Sequence, residues 1–141
     1  MGSTRVRARA IIVSVDRTLV SPGLRGEARR IVTEDATARA LGSGDVPVLG
    51  TPAILALMEQ AACAAMAPAL AEAETSVGIW AELTHLAPSR VGAEVAATAE
   101  VAAVDGRTIE FVCEAREGEK VVARARHRRA VVDRKRFLGR S

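Results

Sequence analysis

The sequence predicts an α+β domain in which an antiparallel sheet wraps around one long central helix. Over residues 52–67 the only polar side chains are Glu59 and Gln60. A helix over this segment is apolar on every side, so other elements must enclose it. Four segments of alternating polarity follow the helix and one or two precede it, which is the plan of an α+β fold. The 141 residues are enough for one domain with a core and too few for two.

The central helix has clear start and stop signals. Thr51 is a favourable N-cap, and Pro52 suits the first helical position. Pro68 ends or kinks the helix. Small side chains allow a sheet to approach closely, and the helix carries them at Ala53, Ala56, Ala61, Ala62, Ala64 and Ala65.

The predicted strands alternate in polarity and end at turn signals. Two lie before the helix, at residues 5–13 and 24–33, and residues 36–49 are interpreted as a loop. A hairpin is predicted at Asp105 and Gly106. We assign residues 1–24 to an N-terminal extension or extra strand and residues 25–137 to the domain. The strands after the helix are predicted at residues 77–86, 93–104, 108–116 and 120–132.

Composition and charge narrow the range of partners. Aromatic residues make up only 2% of the chain, which disfavours nucleic-acid binding by base stacking. The net charge is +3, but basic residues cluster near the C-terminus. This cluster is either a solvated face or a patch for an anion such as the phosphates of coenzyme A. Its members are Arg124, Arg126, Arg128, Arg129, Arg134, Lys135 and Arg136.

Cysteine use and apolar runs predict a reduced, cytoplasmic protein. Cys63 and Cys113 lack the spacing of a metal or redox motif, so we expect both to act as small hydrophobic residues. No signal peptide is predicted, because the start of the chain is rich in arginine. Glu59 and Pro68 interrupt the longest apolar run, so no membrane span is predicted. We also expect no metal site.

Glu59 is the most informative residue for chemistry. A carboxylate inside an apolar helix is costly unless it is paired, hydrogen-bonded or protonated. A carboxylate held in this way is suited to act as a general base or a nucleophile. The alternative is a structural glutamate at the helix rim beside Gln60.

Thr51 and His85 each have a structural and a functional interpretation. Thr51 is explained as a helix cap, yet a helix N-terminus also stabilises a developing oxyanion. The alternation of its strand places His85 on one face with Val77, Ile79, Ala81 and Leu83, where a lone histidine is usually a core residue. His127 follows the apolar face of the last strand, and we interpret it as structural or pocket-lining because no acidic partner is suggested.

The spacing of Thr51 and Glu59 predicts a shared site. Eight residues along one helix separate them by about 12 Å, so both cannot reach one carbonyl carbon from the same helix. Antiparallel helices at a dimer interface would bring Thr51 of one protomer near Glu59 of the other. A single sheet also leaves part of such a helix uncovered, so we expect a homodimer, with a dimer of dimers left open.

Several segments resemble hot-dog thioesterases of the fluoroacetyl-CoA thioesterase type. Residues 51–63 (TPAILALMEQAAC) are similar to that family's helix, and residues 77–78 and 83–88 to its next strand. Residues 127–133 and 136–137 are similar to its end, so the resemblance covers about residues 25–137.

The resemblance implies a hot-dog fold and hydrolysis of a small acyl-CoA thioester, with no cofactor beyond the coenzyme A of the substrate. It implies that Glu59 attacks or activates water, that His85 handles protons and that Thr51 assists at the acyl centre. It also places Gly78 near the acyl group. We expect Arg128 and Arg129 to contact the coenzyme A phosphates.

The resemblance does not extend to specificity for fluoroacetyl-CoA. The segment just before Thr51 carries phenylalanines in the namesake enzyme, whereas residues 42–49 here contain no aromatic side chain. Two other functions remain open. One is a non-catalytic hot-dog module that binds an acyl-CoA or a small apolar ligand, and the other is a dehydratase of hydroxyacyl thioesters, which the spacing of Thr51 and Glu59 fits less well.

Overall fold

The computed structural model describes residues 19–139. The strand predicted at residues 5–13 lies outside this range. The elements in chain order are strand β1 (Arg25–Ile31), a short helix α1 (Ala38–Leu41), the central helix α2 (Thr51–Met66), strands β2 (Glu74–His85), β3 (Glu94–Asp105), β4 (Thr108–Glu117) and β5 (Lys120–Asp133), and a short helix α3 (Arg134–Leu138).

The five strands form one antiparallel sheet in the order β1-β3-β4-β5-β2. Helix α2 packs mainly on β1 and β3. The core therefore lies between the helix and the inner face of the sheet. Its largest fully buried side chains include Leu57, Met58 and Phe111. The predicted curled antiparallel sheet around a central helix is confirmed.

One face of α2 is not covered by its own sheet. Ile54, Leu57, Met58, Ala61 and Met66 are buried, as expected for the core side of the helix. The opposite side remains accessible, which agrees with the expectation that one sheet leaves part of the helix uncovered. The exposed stripe, as we call this side, consists of Thr51, Pro52, Ala56, Gln60, Cys63 and Ala64.

The apolar composition of α2 also makes this helix similar to a membrane span. Residues Thr51–Ala69 are long and apolar enough to cross a membrane by length and composition alone. The core helix of a soluble protein meets the same criterion, and α2 packs on its own sheet here. This feature therefore gives only weak support for a membrane location.

Gly26 lets β1 approach α2 backbone to backbone. A Cβ atom at this position would lie 2.2 Å from the carbonyl oxygen of Ala61 and 2.4 Å from the backbone nitrogen of Ala65. Neither atom can move without shifting the helix, because both belong to its backbone. The alanines of α2 and this glycine therefore act together to close the interface between helix and sheet.

We expect Gly26→Ala to lower the free energy of unfolding by about 3 kcal/mol or more, the upper range for overpacking a core. Urea unfolding followed by circular dichroism measures this change. Gly44→Ala is the matched control, because a Cβ atom there meets only the Ala38 methyl group at an ordinary 3.5 Å. Equal stability of the two variants would contradict the close-approach explanation.

Strand β2 contains a bulge that changes which of its residues face the helix. Gly78 pairs with Arg129 and Trp80 pairs with Arg128, so Ile79 has no partner in the ladder. A bulge shifts the alternation by one residue. The side chain of Ile79 is consequently 54% exposed, and the prediction that it shares a face with His85 is wrong.

The segment between β1 and α2 is more regular than predicted. The Thr37 hydroxyl accepts a hydrogen bond from the Ala40 backbone N–H, which caps helix α1. Gly42 ends this helix in the left-handed conformation with φ 75°. The prediction of a loop over residues 36–49 does not include this helix, because four helical residues are too few to show a periodic pattern.

Candidate active site

Thr51 and His85 form a hydrogen-bonded pair at the start of α2. The Thr51 Oγ1 and His85 Nδ1 atoms are 2.7 Å apart. Gly50, not Thr51, is the N-cap, and its carbonyl accepts from the backbone N–H groups of Ala53 and Ile54. The predicted capping role of Thr51 is therefore wrong. Its hydroxyl is instead available to the histidine.

The second ring nitrogen of His85 and the N-terminus of α2 are the other polar groups beside this pair. The Nε2 atom of His85 is buried and has no hydrogen-bond partner among residues 19–139. The N–H group of a first helical residue has no acceptor within its own helix, which applies to Thr51, and Pro52 has no N–H group. A substrate carbonyl beside Thr51 could therefore meet a backbone donor, a hydroxyl and an imidazole.

Glu59 lies two helical turns further along α2, in a second cluster. Its Oε2 atom is 3.2 Å from Arg129 Nη1 and 3.8 Å from His127 Nε2. The side chain of Glu59 is 39% exposed, so its predicted withdrawal from water is incomplete in the single chain. It borders the exposed stripe of α2, so a protein surface placed on that stripe would bury it further.

Arg129 holds this carboxylate and does not face solvent. Its side chain is only 7% exposed. The Nε and Nη2 atoms donate to the hydroxyl and the carbonyl of Ser76, and Nη1 donates to Glu59. The predicted contact of Arg129 with coenzyme A phosphates therefore does not fit the structure. Its donors are already used inside the protein.

His127 belongs to the same cluster. This membership was not predicted, because no acidic partner of His127 is suggested by the sequence. The ring is buried on the inner face of the sheet, and its Nε2 atom is 3.0 Å from Arg129 Nη1. Its Nδ1 atom is 2.9 Å from the carbonyl oxygen of Trp80. The period of two in β5 already placed His127 and Arg129 on one face. The approach of Glu59 on α2 could not be deduced from this pattern.

Gly78 provides the space that the carboxylate of Glu59 occupies. A Cβ atom at this position would lie 2.5 Å from Glu59 Oε2 and 3.2 Å from the ring of His127. The bulge at Ile79 makes this arrangement possible. In a regular strand Gly78 and His85, seven residues apart, would face opposite sides, whereas here both face α2.

The structure thus forms two clusters in one chain. The first consists of Thr51 and His85, and the second of Glu59, Gly78, His127 and Arg129 with Ser76. The three predicted catalytic residues do not meet within a single chain, because α2 separates Thr51 from Glu59 by about 12 Å. No group of three or more histidine, cysteine, aspartate or glutamate side chains suited to a metal ion occurs among residues 19–139.

Comparison with known proteins identifies the family. A sequence model described as the fluoroacetyl-CoA-specific thioesterase, FlK, matches residues 32–135. The chain belongs to this family. It is also 36% identical over 90 residues to the fluoroacetyl-CoA thioesterase of Streptantibioticus cattleyicolor. That alignment covers 64% of the chain and 65% of the relative.

Solved structures of similar proteins support the same assignment. The fluoroacetyl-CoA thioesterase FlK superposes with a TM-score of 0.79 at 31% identity, covering 85% of this chain and 93% of the other. An FlK variant in complex with acetyl-CoA gives a TM-score of 0.81 at 29% identity, covering 85% and 95%. A hot-dog-like protein from Thermanaerovibrio acidaminovorans gives 0.80 at 26% identity, covering 88% and 92%. The hot-dog fold is therefore confirmed.

In this member of the FlK family Arg128 lies on the outer face of the sheet. Its guanidinium stacks over the Trp80 ring at 4.3 Å, and its Nε donates to Glu110. Hydrogen bonds from Arg128 and then Arg126 lower the pKa of the Glu110 carboxyl. Arg128 is exposed, so it can make the predicted phosphate contact. The Glu110 carboxylate already accepts a hydrogen bond from its Nε atom.

Proposed function

We propose that this chain hydrolyses a small acyl-CoA thioester to a free acid and coenzyme A. The observation that carries the proposal is the hydrogen-bonded pair of Thr51 and His85 at the N-terminus of α2. A hydroxyl, an imidazole and a helix N-terminus at one point suit a carbonyl that develops negative charge. Membership of the FlK family supports thioester hydrolysis as the reaction.

The proposed reaction requires a carboxylate as a third participant. An oxygen nucleophile adds to the thioester carbonyl carbon, the C–S bond breaks, and the departing thiolate takes a proton to give free coenzyme A. Glu59 either removes a proton from the attacking water or attacks the carbonyl carbon itself. In the second case an acyl–Glu59 anhydride forms, and water then hydrolyses it to release the acid and restore the carboxylate. His85 transfers protons, and Thr51 orients the acyl group.

We propose that a homodimer assembles this site. Strand β2 forms one edge of the sheet and exposes Ile79 and Trp80, and an open edge of twelve residues is a template for pairing with another strand. Pairing two β2 strands in antiparallel fashion would continue the sheet. It would also bring two exposed stripes of α2 together.

The spacing of the two clusters agrees with one twofold axis. On α2 the midpoint between Thr51 and Glu59 is residue 55, next to the small exposed Ala56. On β2 the midpoint between Gly78 and His85 lies between residues 81 and 82. A twofold axis through both midpoints would place the Thr51–His85 pair of one protomer beside the Glu59 cluster of its partner. A self-complementary interface has this arrangement.

A panel of acyl-CoA esters tests the proposal. We expect release of free thiol from at least one short, branched or aromatic acyl-CoA, fluoroacetyl-CoA included, at a rate well above that of uncatalysed hydrolysis. Binding of these esters without turnover of any of them would instead support a non-catalytic acyl-CoA module. Dehydration of a hydroxyacyl-CoA, or hydration of the corresponding enoyl-CoA, without thiol release would support a dehydratase.

The same assay tests the phosphate contact of Arg128. Arg128→Gln should raise KM for the CoA ester and leave KM unchanged for the matching pantetheine ester, which lacks the nucleotide phosphates. Equal changes for both esters would exclude this role.

Two further proposals concern the setting of the protein. Cys63 and Cys113 are both free thiols, which supports a cytoplasmic location. Fractionation of cells that produce the full chain tests both this location and the predicted absence of a membrane association.

Sedimentation analysis distinguishes the proposed homodimer from a dimer of dimers. A binding assay with nucleic acid tests the expected absence of that partner.

A further inference from the structure

We propose that His127, held as a neutral imidazole, positions the catalytic carboxylate of Glu59 through Arg129. This inference rests on the proposed function, because it assumes that Glu59 takes part in hydrolysis. It assigns to His127 a role through another residue, because the ring is hydrogen-bonded to Arg129 at 3.0 Å, whereas its Nε2 atom is 3.8 Å from Glu59 Oε2, beyond hydrogen-bond distance.

The hydrogen-bond partners define the protonation state of His127. A carbonyl oxygen only accepts, so the Nδ1 atom beside Trp80 O must carry a proton. A guanidinium only donates, so the Nε2 atom beside Arg129 Nη1 must present a lone pair. Only the neutral ring protonated at Nδ1 satisfies both contacts.

The surroundings of the ring favour this neutral form. Burial is the largest effect and lowers the pKa of His127. The hydrogen bond with Trp80 O raises this pKa, the positive charge of Arg129 lowers it, and Glu59 raises it least, so the net direction is downward. The charged groups beside it are Arg129 on its own strand and Glu59 on α2. From β4 the apolar ring of Phe111 stacks on it.

The neutral imidazole fixes the guanidinium in an orientation that serves Glu59. The Nη1 atom of Arg129 has two protons, and the structure directs one toward His127 Nε2 and one toward Glu59 Oε2. Without an acceptor at Nε2, only the two contacts with Ser76 would hold the planar guanidinium, and a small tilt of the whole group would move Nη1 away from the carboxylate. The chain of contacts begins at Trp80 O, directly after the bulge that brings Gly78 under Glu59.

Three substitutions of His127 distinguish a role in positioning Glu59 from a role in packing. His127→Phe keeps an aromatic ring against Phe111 but accepts no hydrogen bond, so kcat should fall about 10- to 100-fold with KM within about twofold, as expected for a misplaced catalytic group. His127→Gln places a carboxamide oxygen near Nε2 and should restore kcat to within about threefold of the wild type. His127→Asn reaches only Trp80 O and should remain as slow as His127→Phe.

An Arg129→Met variant tests whether His127 acts through Arg129. In an Arg129→Met protein, His127→Phe should change kcat by less than about twofold, because the group it positions is already missing. Val101→Ala, a buried substitution on β3, is the control for stability, and it should lower the melting temperature without lowering kcat.

Nuclear magnetic resonance of the ring nitrogens checks the tautomer without any assay of activity. The chain contains only two histidines, so the His127→Phe spectrum assigns the remaining signals to His85. We expect His127 to be protonated at Nδ1 alone at pH 7 and to stay neutral at a pH where a solvent-exposed histidine is charged.

The outcomes distinguish the two proposals. A wild type that hydrolyses no acyl-CoA, or a Glu59→Gln protein as fast as the wild type, would remove the proposed function. Three results would contradict the positioning role of His127 and leave the proposed function intact. They are full kcat of an active enzyme in His127→Phe, a higher kcat in His127→Asn than in His127→Gln, and a proton on Nε2 of His127.

Discussion

Glu59→Gln is expected to lower kcat for thioester hydrolysis by about 10³-fold, within the range for loss of a general base. The carboxamide keeps the shape of the side chain but neither removes a proton from water nor attacks a carbonyl carbon efficiently. The free energy of unfolding should change by less than about 1 kcal/mol, because Glu59 is 39% exposed and its pair with Arg129 is partly screened by solvent. Steady-state kinetics and urea unfolding of the same preparation measure both quantities.

The matched control is Glu72→Gln, the same chemical change at an exposed position between α2 and β2. It should leave kcat within about twofold of the wild-type value. A large loss of folding in the Glu59 variant with unchanged kcat per folded molecule would make Glu59 a structural residue. Full activity of a folded Glu59→Gln protein would remove the carboxylate from every version of the mechanism considered above.

The elements of the fold could be predicted because their signals are local. Strand β5 was predicted at residues 120–132 and is found at Lys120–Asp133, since its alternation and the turn at Gly118 both depend on neighbouring residues. Helix α2 was predicted to within one residue at each end for the same reason. The alanines of the helix indicated its close packing, although its glycine partner on β1 is visible only in three dimensions.

The arrangement of the site was harder to predict, because it depends on one irregular residue and on contacts between distant segments. The unpaired Ile79 reverses the alternation of β2 and brings Gly78 to the same side as His85. A bulge leaves no reliable mark in a pattern of period two. Arg129 illustrates the second difficulty. Its charge indicated a surface role, whereas Glu59, seventy positions earlier, gives it a partner inside the protein.

Mixing two inactive variants is expected to restore activity if the site is shared between protomers. In a heterodimer of Thr51→Ala and Glu59→Ala chains, one of the two composite sites carries both substitutions and the other carries neither. Random assortment of equal amounts makes half of the dimers mixed, so the mixture should regain about a quarter of wild-type activity. Each variant alone should stay near the baseline.

The measurement requires proof that exchange has occurred. Chains with two different affinity tags are unfolded together, refolded and purified over both tags in sequence, so that only mixed dimers remain. These dimers should show about half of the wild-type kcat per dimer with an unchanged KM, because one intact site binds substrate as the native enzyme does. Verified mixed dimers that stay inactive would place Thr51 and Glu59 in the same protomer's site. The 12 Å between these residues along α2, about the length of eight helical residues, would then have to be bridged by a change in the helix itself.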